Sequence, residues 1–375
     1  MRRVGNQPAK PDIVDRRLLA EADRLGNADG VASVEELEAV AETLESTPSF
    51  DITGKARREK VQSLLGQAVE TPPATLDPTF QSLPEPLRRL ALEMDSLWGD
   101  ANGQVSVEEF GRVVEFTLSA LPFFTDDAGA LLELAQHLGF DKAESKAAPS
   151  VMKLQMALAQ VDSQEVESNR PFRQMFDEAV AHGEQSGAPE LLRDALLHSP
   201  RWHRFSILDH TAKAVEAVRD LSQAVGMEWK NAGASMLLHD VGKILERNAK
   251  SPDSSGNPRF HYFDHESAGA EWLESRGLDP DIAFHVRNHA EIRKRSNDEI
   301  LALAEGNPNR LAEMVVVYVA DQVAKGNTSE QMESFATISP RLLHLAEKAG
   351  IDGEVLLQRA SELRANFVER HETFA

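Results

Sequence analysis

The chain has 375 residues, of which 41% are hydrophobic and 27% are charged, which excludes global disorder and predicts two or three globular domains. Its 61 acidic and 40 basic side chains give a net charge of −21, which argues against extended nucleic-acid binding and against anionic membranes. The absence of cysteine excludes disulfides and cysteine-rich zinc sites, so histidine and carboxylates are the available metal ligands. With no secretory signal and no apolar run of about 18 residues, we expect a cytoplasmic protein.

Apolar residues recur at three- and four-residue spacing along most of the chain, whereas sustained two-residue alternation is almost absent. Clear cases are Val34–Leu44, Val107–Leu118, Leu208–Val225 and Leu311–Val323. This spacing is that of amphipathic helices, so the sequence predicts an all-α fold. The segment that leads to Asp321 is rich in β-branched residues and on its own is also compatible with a strand, but we interpret it as a buried helix.

A repeat divides the N-terminal part of the chain. Residues 29–37 read Asp-Gly-Val-Ala-Ser-Val-Glu-Glu-Leu and return at 102–110 as Asn-Gly-Gln-Val-Ser-Val-Glu-Glu-Phe, and each copy leads into an amphipathic helix. Five prolines lie in 71–86, and 143–150 is rich in small and charged residues. We therefore predict a duplicated helical module at 1–145, with an internal linker at 71–86, and a second domain at 150–375.

The two copies resemble the second half of an EF-hand calcium loop, with glycine at position six and glutamate at position twelve. The candidate calcium ligands are Asn27, Asp29, Ser33 and Glu36 in the first copy, and Asp100, Asn102, Ser106 and Glu109 in the second. Leu25 and Trp98 replace the first ligating aspartate, which weakens a site for a hard cation. The alternative is a degenerate helix–loop–helix unit that binds a protein partner, in which each serine caps its helix together with the glutamate.

The second half of the chain carries an ordered set of metal-ligand candidates. They are His210, His239, Asp240, His265, His289 and Asp321. An adjacent His-Asp pair in a buried apolar helix is costly unless both groups are satisfied, and a divalent cation satisfies both. The predicted helices Leu208–Val225, Ala232–Leu245, His265–Ser275 and Asn309–Val323 can each direct a ligand to a common centre. Mixed imidazole and carboxylate ligands suit one or two ions of manganese, iron, cobalt, nickel or magnesium.

This order of residues resembles the HD-domain superfamily of metal-dependent phosphohydrolases, over about residues 199–325. His210, the His239-Asp240 pair and Asp321 match its signature, while His265 and His289 resemble the extra histidines of members with two metals. The segments at 202–211 and 256–271 are similar to the HD domain of bacterial CCA-adding tRNA nucleotidyltransferases. The resemblance implies a helical HD domain with phosphatase or phosphodiesterase activity on nucleotides, and it implies no polymerising chemistry.

Further residues are candidates for substrate contact. Lys243 lies four residues after His239 on the same predicted helix face, where its ammonium group can meet a phosphate oxygen, and we assign Asp240 and Lys243 as catalytic. Arg287 and Arg293 belong to a basic cluster near His289 that fits an anionic substrate or, equally, a solvated helix end. Five other histidines are interpreted as packed or surface residues, namely His182, His198, His203, His344 and His371. For His261, four residues before His265, a place in the pocket and a packing role both stay open.

Two hypotheses of function follow. The first is a phosphohydrolase that acts on a nucleotide or related small phosphoester and is regulated by calcium, or by a protein partner, through the N-terminal module. The second is a non-catalytic signalling or scaffold protein that uses the same fold to bind a ligand or partner. Metal analysis of the purified protein separates them, because the scaffold has no need of a transition metal.

Overall fold

A computed structural model describes residues 33–34, 36–39, 82–98, 104–185, 192, 198, 201–245, 248–250, 259–262 and 264–373. In these ranges the protein is built from helices and one short pair of strands, which confirms the predicted all-α fold. Within the same ranges, no helix has the length and apolar character needed to cross a membrane. The calcium candidates Asn27, Asp29, Asp100 and Asn102 lie outside the described residues, as does most of the predicted linker at 71–86.

The first group of helices surrounds a core of its own. Its members are α1 (Glu85–Glu93), α2 (Val107–Ser119), α3 (Thr125–Leu138) and α4 (Ala148–Leu158). The long α5 (Ser163–Gln185) follows them, and its Phe176 and Ala179 are buried in the larger core that contains the second group of helices. A π-helical turn, Met94–Trp98, continues α1. Leu92, Phe110, Leu131 and Leu154 are fully buried in this core, so α4 packs with the helices that precede it. The predicted division at 145–150 stays a prediction.

The second group carries the metal-ligand candidates. It runs through α6 (Ile207–Ala224), α7 (Lys230–Leu238), α8 (Val241–Leu245), β1 (Asn248–Lys250), β2 (Arg259–His261), α9 (His265–Glu274), α10 (Pro280–Asn288), α11 (Glu291–Lys294), α12 (Asn297–Leu303), α13 (Pro308–Ala324), α14 (Ser329–Ala349) and α15 (Gly353–Thr373). The two strands are antiparallel, with Ala249 opposite Phe260.

The β-branched segment before Asp321 is helical, as expected. It forms α13, in which Val315, Val316 and Val319 are fully buried. This helix packs against α6, α14 and α15, so it lies at the centre of the larger core. Burial on nearly all sides explains a sequence that is apolar all round instead of on one stripe.

The prediction of one continuous helix at Ala232–Leu245 is wrong, because the helix is interrupted at the His-Asp pair. The chain forms two helices, α7 and α8, and His239 and Asp240 lie between them. The amide of Lys243 donates to the carbonyl oxygen of Asp240 at 2.9 Å, which starts a new helical turn directly after the pair. The interruption directs both side chains of the pair into the same buried region.

The two groups of helices are in direct contact. Helix α2 packs on α6, and the Ser119 hydroxyl of α2 donates to Glu216 of α6 at 2.7 Å. Arg370 of α15 bonds to Glu216 at 2.7 Å and also to Glu115 of α2 at 3.1 Å. The helix that follows the second repeat is thereby joined to the helix that carries His210.

Candidate metal centre

Each histidine of the set lies at or near the end of a helix. Ser206 caps α6 by accepting the amide hydrogen of Asp209, which places His210 in the first turn. His239 and His289 directly follow α7 and α10, and His265 is the first residue of α9. Asp321 lies in the last turn of α13. Helix ends that converge from five elements bring residues 111 positions apart in sequence into one site.

Three of the side chains form a first triad. The Nε2 atoms of His210 and His239 are 3.0 Å apart, and Asp321 Oδ1 lies 3.2 Å from the first and 3.8 Å from the second. All three residues are buried, with exposed fractions of 2% or less. Ligand atoms of this triad lie within 4.8 Å of one another, close enough to hold one metal ion together.

Asp240, His265 and His289 form a second triad of the same kind. Asp240 Oδ1 lies 3.4 Å from His265 Nε2, while its Oδ2 lies 3.3 Å from His239 and 3.5 Å from His210. One carboxylate oxygen therefore faces each triad. The sequence placed Asp240 with the first group alone, whereas the structure places it between the two.

Backbone carbonyls fix the orientation of three imidazole rings. The Nδ1 atoms of His239, His265 and His289 lie 2.7 Å from the carbonyl oxygens of Met236, Tyr262 and Val286, each three residues earlier in the chain. A carbonyl oxygen only accepts, so each Nδ1 donates its hydrogen and each Nε2 presents a lone pair. Such outer hydrogen bonds are the usual way in which proteins orient histidine ligands of metals.

Several buried polar atoms of the site lack a hydrogen-bond partner among the described residues. They are His210 Nδ1, Asp240 Oδ1 and His265 Nε2. The last two face each other at 3.4 Å, and both are acceptors when His265 carries its hydrogen on Nδ1. Two desolvated acceptors side by side are costly, and a cation between them satisfies both. The residues present therefore fit a metal ion.

Electrostatics hold these groups in the protonation states that metal ligands need. Burial alone would raise the pKa of Asp240, but His239 and Lys243 outweigh it and hold this pKa well below its ordinary value. The pKa of Asp321 is also held low, against burial, chiefly by Lys325. Burial lowers the pKa of His210 and lowers that of His289 to about 3. Ionised carboxylates and neutral imidazoles are the forms that bind metal.

Two lysines each donate a hydrogen bond to one of the carboxylates of the centre. Lys243 Nζ lies 2.7 Å from Asp240 Oδ2, as its predicted closeness to the pair implies. Lys325, which sequence reasoning missed, lies four residues after Asp321, and its Nζ is 2.6 Å from Asp321 Oδ2. The side chains of these lysines are 8% and 16% exposed, so both charges adjoin the buried centre.

Two histidines interpreted as packing residues lie beside the centre. His198 and His203 are buried, and their rings are stacked with centroids 3.8 Å apart. The His203 ring is 4.9 Å from that of His210, and His198 Nε2 is 3.2 Å from Lys243 Nζ. His203 belongs to the segment 202–211 that carries the resemblance to tRNA nucleotidyltransferases, although it was interpreted as a packing residue, whereas no motif marked His198. The side chain of His261 lies outside the described residues.

The arginines proposed as substrate contacts occupy different surroundings. Arg287 is bound to Glu274 of α9 at 2.8 Å and lies near Glu271, as a surface residue would. Arg293 is exposed, and its charge acts on Tyr318 and Lys325 beside Asp321. Lys294 of this cluster is joined to the second triad through Glu266, whose carboxylate lies 2.7 Å from Lys294 Nζ and 3.3 Å from His265 Nδ1.

The described part of the two repeats shows helix capping. Ser106 accepts the amide hydrogen of Glu109 at 3.1 Å, and the Glu109 carboxylate accepts that of Ser106 at 2.7 Å. Ser33 and Glu36 make the same reciprocal pair at 3.2 and 2.9 Å. Both glutamates thus take part in a capping box, the structural alternative considered for these repeats. Calcium binding stays a prediction.

Gly242 allows helices α8 and α9 to approach each other closely beside the centre. A Cβ atom on Gly242 would lie 1.9 Å from the carbonyl oxygen of His265 and 2.9 Å from the amide nitrogen of Gly269. Helix α8 therefore touches α9 backbone to backbone. This contact fixes the distance between Asp240, just before α8, and His265, at the start of α9.

Comparison with known families agrees with this geometry. Residues 207–326 match the family model of the HD domain. The matched segment contains all six metal-ligand candidates of the HD domain together with Lys243 and Lys325, although it spans less than half of the chain. The HD domain indicates the superfamily of metal-dependent phosphohydrolases. No curated protein and no solved structure matches the chain. The EF-hand and tRNA nucleotidyltransferase resemblances stay predictions.

Proposed function

We propose that this protein is a metal-dependent phosphohydrolase that acts on a nucleotide or a related small phosphoester. The observation that carries the proposal is the pair of triads with Asp240 between them. Two clusters that share a carboxylate fit a site for two ions, which is suited to a phosphoester. Divalent ions bound there would polarise a phosphoryl oxygen and lower the pKa of a water molecule.

The protein groups around the triads have separate roles in this proposal. Asp240 orients both clusters because its two oxygens face different histidines. Lys243 and Lys325 place positive charge next to the carboxylates, where it stabilises negative charge on a phosphoryl group. An ammonium group has three hydrogens to donate, so each lysine can meet an anion while it holds a carboxylate. This local charge offsets the net −21 of the chain for a small anionic substrate.

The test is product release from a panel of nucleotides, cyclic nucleotides and generic phosphomonoesters and phosphodiesters. Metal-stripped protein is resupplied with manganese, nickel or magnesium, and the double variant His239→Ala, Asp240→Ala is the control. We expect turnover that returns with metal and is absent from the control. Folded, metal-loaded protein without activity on any member would contradict the proposal and favour a scaffold that binds ligand without turnover.

We further propose that the N-terminal module regulates the HD domain when it binds calcium or a protein partner. The route is direct: Ser106 and Glu109 start α2, and α2 packs on α6, which carries His210. A ligand that prefers one arrangement of the loop before α2 would shift this contact.

Glutamine variants test the calcium route without removing the caps. Glutamine also fits the capping box, so Glu36→Gln with Glu109→Gln removes the two carboxylates and keeps the hydrogen bonds of the helix start. We expect the effect of calcium on hydrolysis to be lost. The matched control is Glu108→Gln, an exposed neighbour on the same turn. A calcium response that persists in the double variant would exclude this route.

A further inference from the structure

His198 occupies a fully buried place next to the candidate centre and outside its two triads. Its Nδ1 lies 3.0 Å from the carbonyl oxygen of Phe205, and its Nε2 lies 3.2 Å from Lys243 Nζ. Lys243 Nζ in turn lies 2.7 Å from Asp240 Oδ2. Three hydrogen bonds therefore run in series from a backbone carbonyl to a metal-ligand candidate.

The chemistry of the groups fixes the direction of each hydrogen bond. A carbonyl oxygen only accepts, so His198 Nδ1 donates to Phe205 and its Nε2 is left with a lone pair. An ammonium group only donates, so Lys243 donates both to His198 and to Asp240. The Phe205 carbonyl thus selects the tautomer of His198 that can accept a hydrogen bond from Lys243.

The ring of His198 is held from its sides as well. His203 stacks on it at 3.8 Å, tilted by 32°, and Tyr262 approaches it edge-on at 6.3 Å. Burial, helped by the nearby Lys243, also holds the pKa of His198 well below its ordinary value. A lysine side chain is long and flexible, and a fixed acceptor reduces the number of positions that its ammonium group samples.

We propose that His198 is a positioning residue that holds the Lys243 ammonium group against Asp240, in place for a phosphoryl oxygen. The role in catalysis rests on the function proposed above, whereas the hydrogen bond to Lys243 does not. Without the acceptor, Lys243 loses one of its two partners and its ammonium group spreads over more rotamers.

Two amide variants separate the two nitrogens of His198. Glutamine can place its carbonyl oxygen near the position of Nε2 and accept from Lys243, whereas asparagine reaches only the position of Nδ1 and can donate to Phe205. We expect His198→Asn to lower kcat/KM by about tenfold, the effect of one charge-assisted hydrogen bond, and His198→Gln to keep most of the activity. His137→Gln, on the exposed face of α3, is the control for a histidine substitution. Equal losses in both His198 variants, or a loss confined to the glutamine variant, would overturn the proposal.

Nitrogen NMR of the histidine-labelled full chain with magnesium gives a readout independent of activity. We expect the His198 resonances, assigned by their disappearance in His198→Gln, to show hydrogen on Nδ1 and an acceptor at Nε2. The Nε2 resonance should move in Lys243→Met and stay in place in Lys294→Met, since the partner of Lys294 is Glu266 and not His198. A resonance that Lys243→Met leaves unmoved would overturn the positioning role.

Activity and NMR together distinguish a failure of the proposed function from a failure of the role of His198. The expected resonances in a protein that hydrolyses no phosphoester would overturn the proposed function and support the hydrogen-bond series. Turnover with equal activity in His198→Asn and His198→Gln would support the proposed function and overturn the role of His198.

Discussion

Replacing Gly242 with alanine should open the second triad by moving Asp240 away from His265. The added Cβ would lie 1.9 Å from the His265 carbonyl oxygen, and ordinary contact begins near 3.4 Å. Helices α8 and α9 would therefore have to move apart by roughly 1.5 Å, because the opposing atoms are backbone and cannot rotate away. That shift is about half of the 3.4 Å between Asp240 Oδ1 and His265 Nε2.

Overpacking of this kind costs about 1–3 kcal/mol, and a backbone clash lies at the upper end. In a domain of about 150–250 residues, 1 kcal/mol corresponds to roughly 2–4 °C, so the melting temperature should fall by about 6–12 °C. Because the shift acts between Asp240 and His265, we expect the second triad to lose affinity for metal while the first triad keeps it.

Thermal unfolding and metal titration of the purified variant measure both effects. The matched control is Gly129→Ala in α3, where nothing lies within 4 Å of the added atom. This control should be neutral or more stable by about 0.5–1 kcal/mol, because alanine favours the helix. A Gly242→Ala protein with unchanged melting temperature and unchanged metal stoichiometry would refute the reasoning.

Three further predictions concern stability. Removal of metal by a chelator should lower the melting temperature, and manganese at 100 times its Kd should raise the free energy of unfolding by about 2.7 kcal/mol. Calorimetry should find no such effect of manganese in His239→Ala. Ser106→Ala should cost about 1 kcal/mol in urea unfolding through loss of the cap, and an unchanged midpoint would contradict the importance of the capping box. Arg364 is buried against Phe335, and its Nε and Nη2 have no hydrogen-bond partner among the described residues. Arg364→Met should therefore be neutral or stabilising, and a loss above about 2 kcal/mol would point to an ionic partner.

The sequence predicted the helical fold because its apolar residues keep a helical period over long stretches, as in α6 and α13. It did not predict the break between α7 and α8. The apolar run before His239 continues after Asp240 through Val241 and Ile244, so no local signal marks a new turn there. Just after the break, Gly242 meets the backbone of α9, a tertiary contact that no local pattern indicates.

The metal-ligand candidates could be identified from the sequence, whereas only some of the residues that support them could. The order of the six ligand candidates, together with the resemblance to the HD domain, was enough to assign them to one site. Lys325 could have been found, since it lies one helical turn after Asp321. His198 could not, because its approach to Lys243 joins segments that are 45 residues apart and that no sequence pattern connects.

The hydrogen bonds from three imidazole rings to carbonyls three residues earlier have a consequence for the rate of metal uptake. These rings take their orientation from the neighbouring backbone, so the ligand lone pairs converge before an ion arrives. Little conformational entropy is then lost when an ion binds. Uptake should be limited by removal of water from the incoming ion, which makes manganese a faster occupant than the reluctantly dehydrated magnesium.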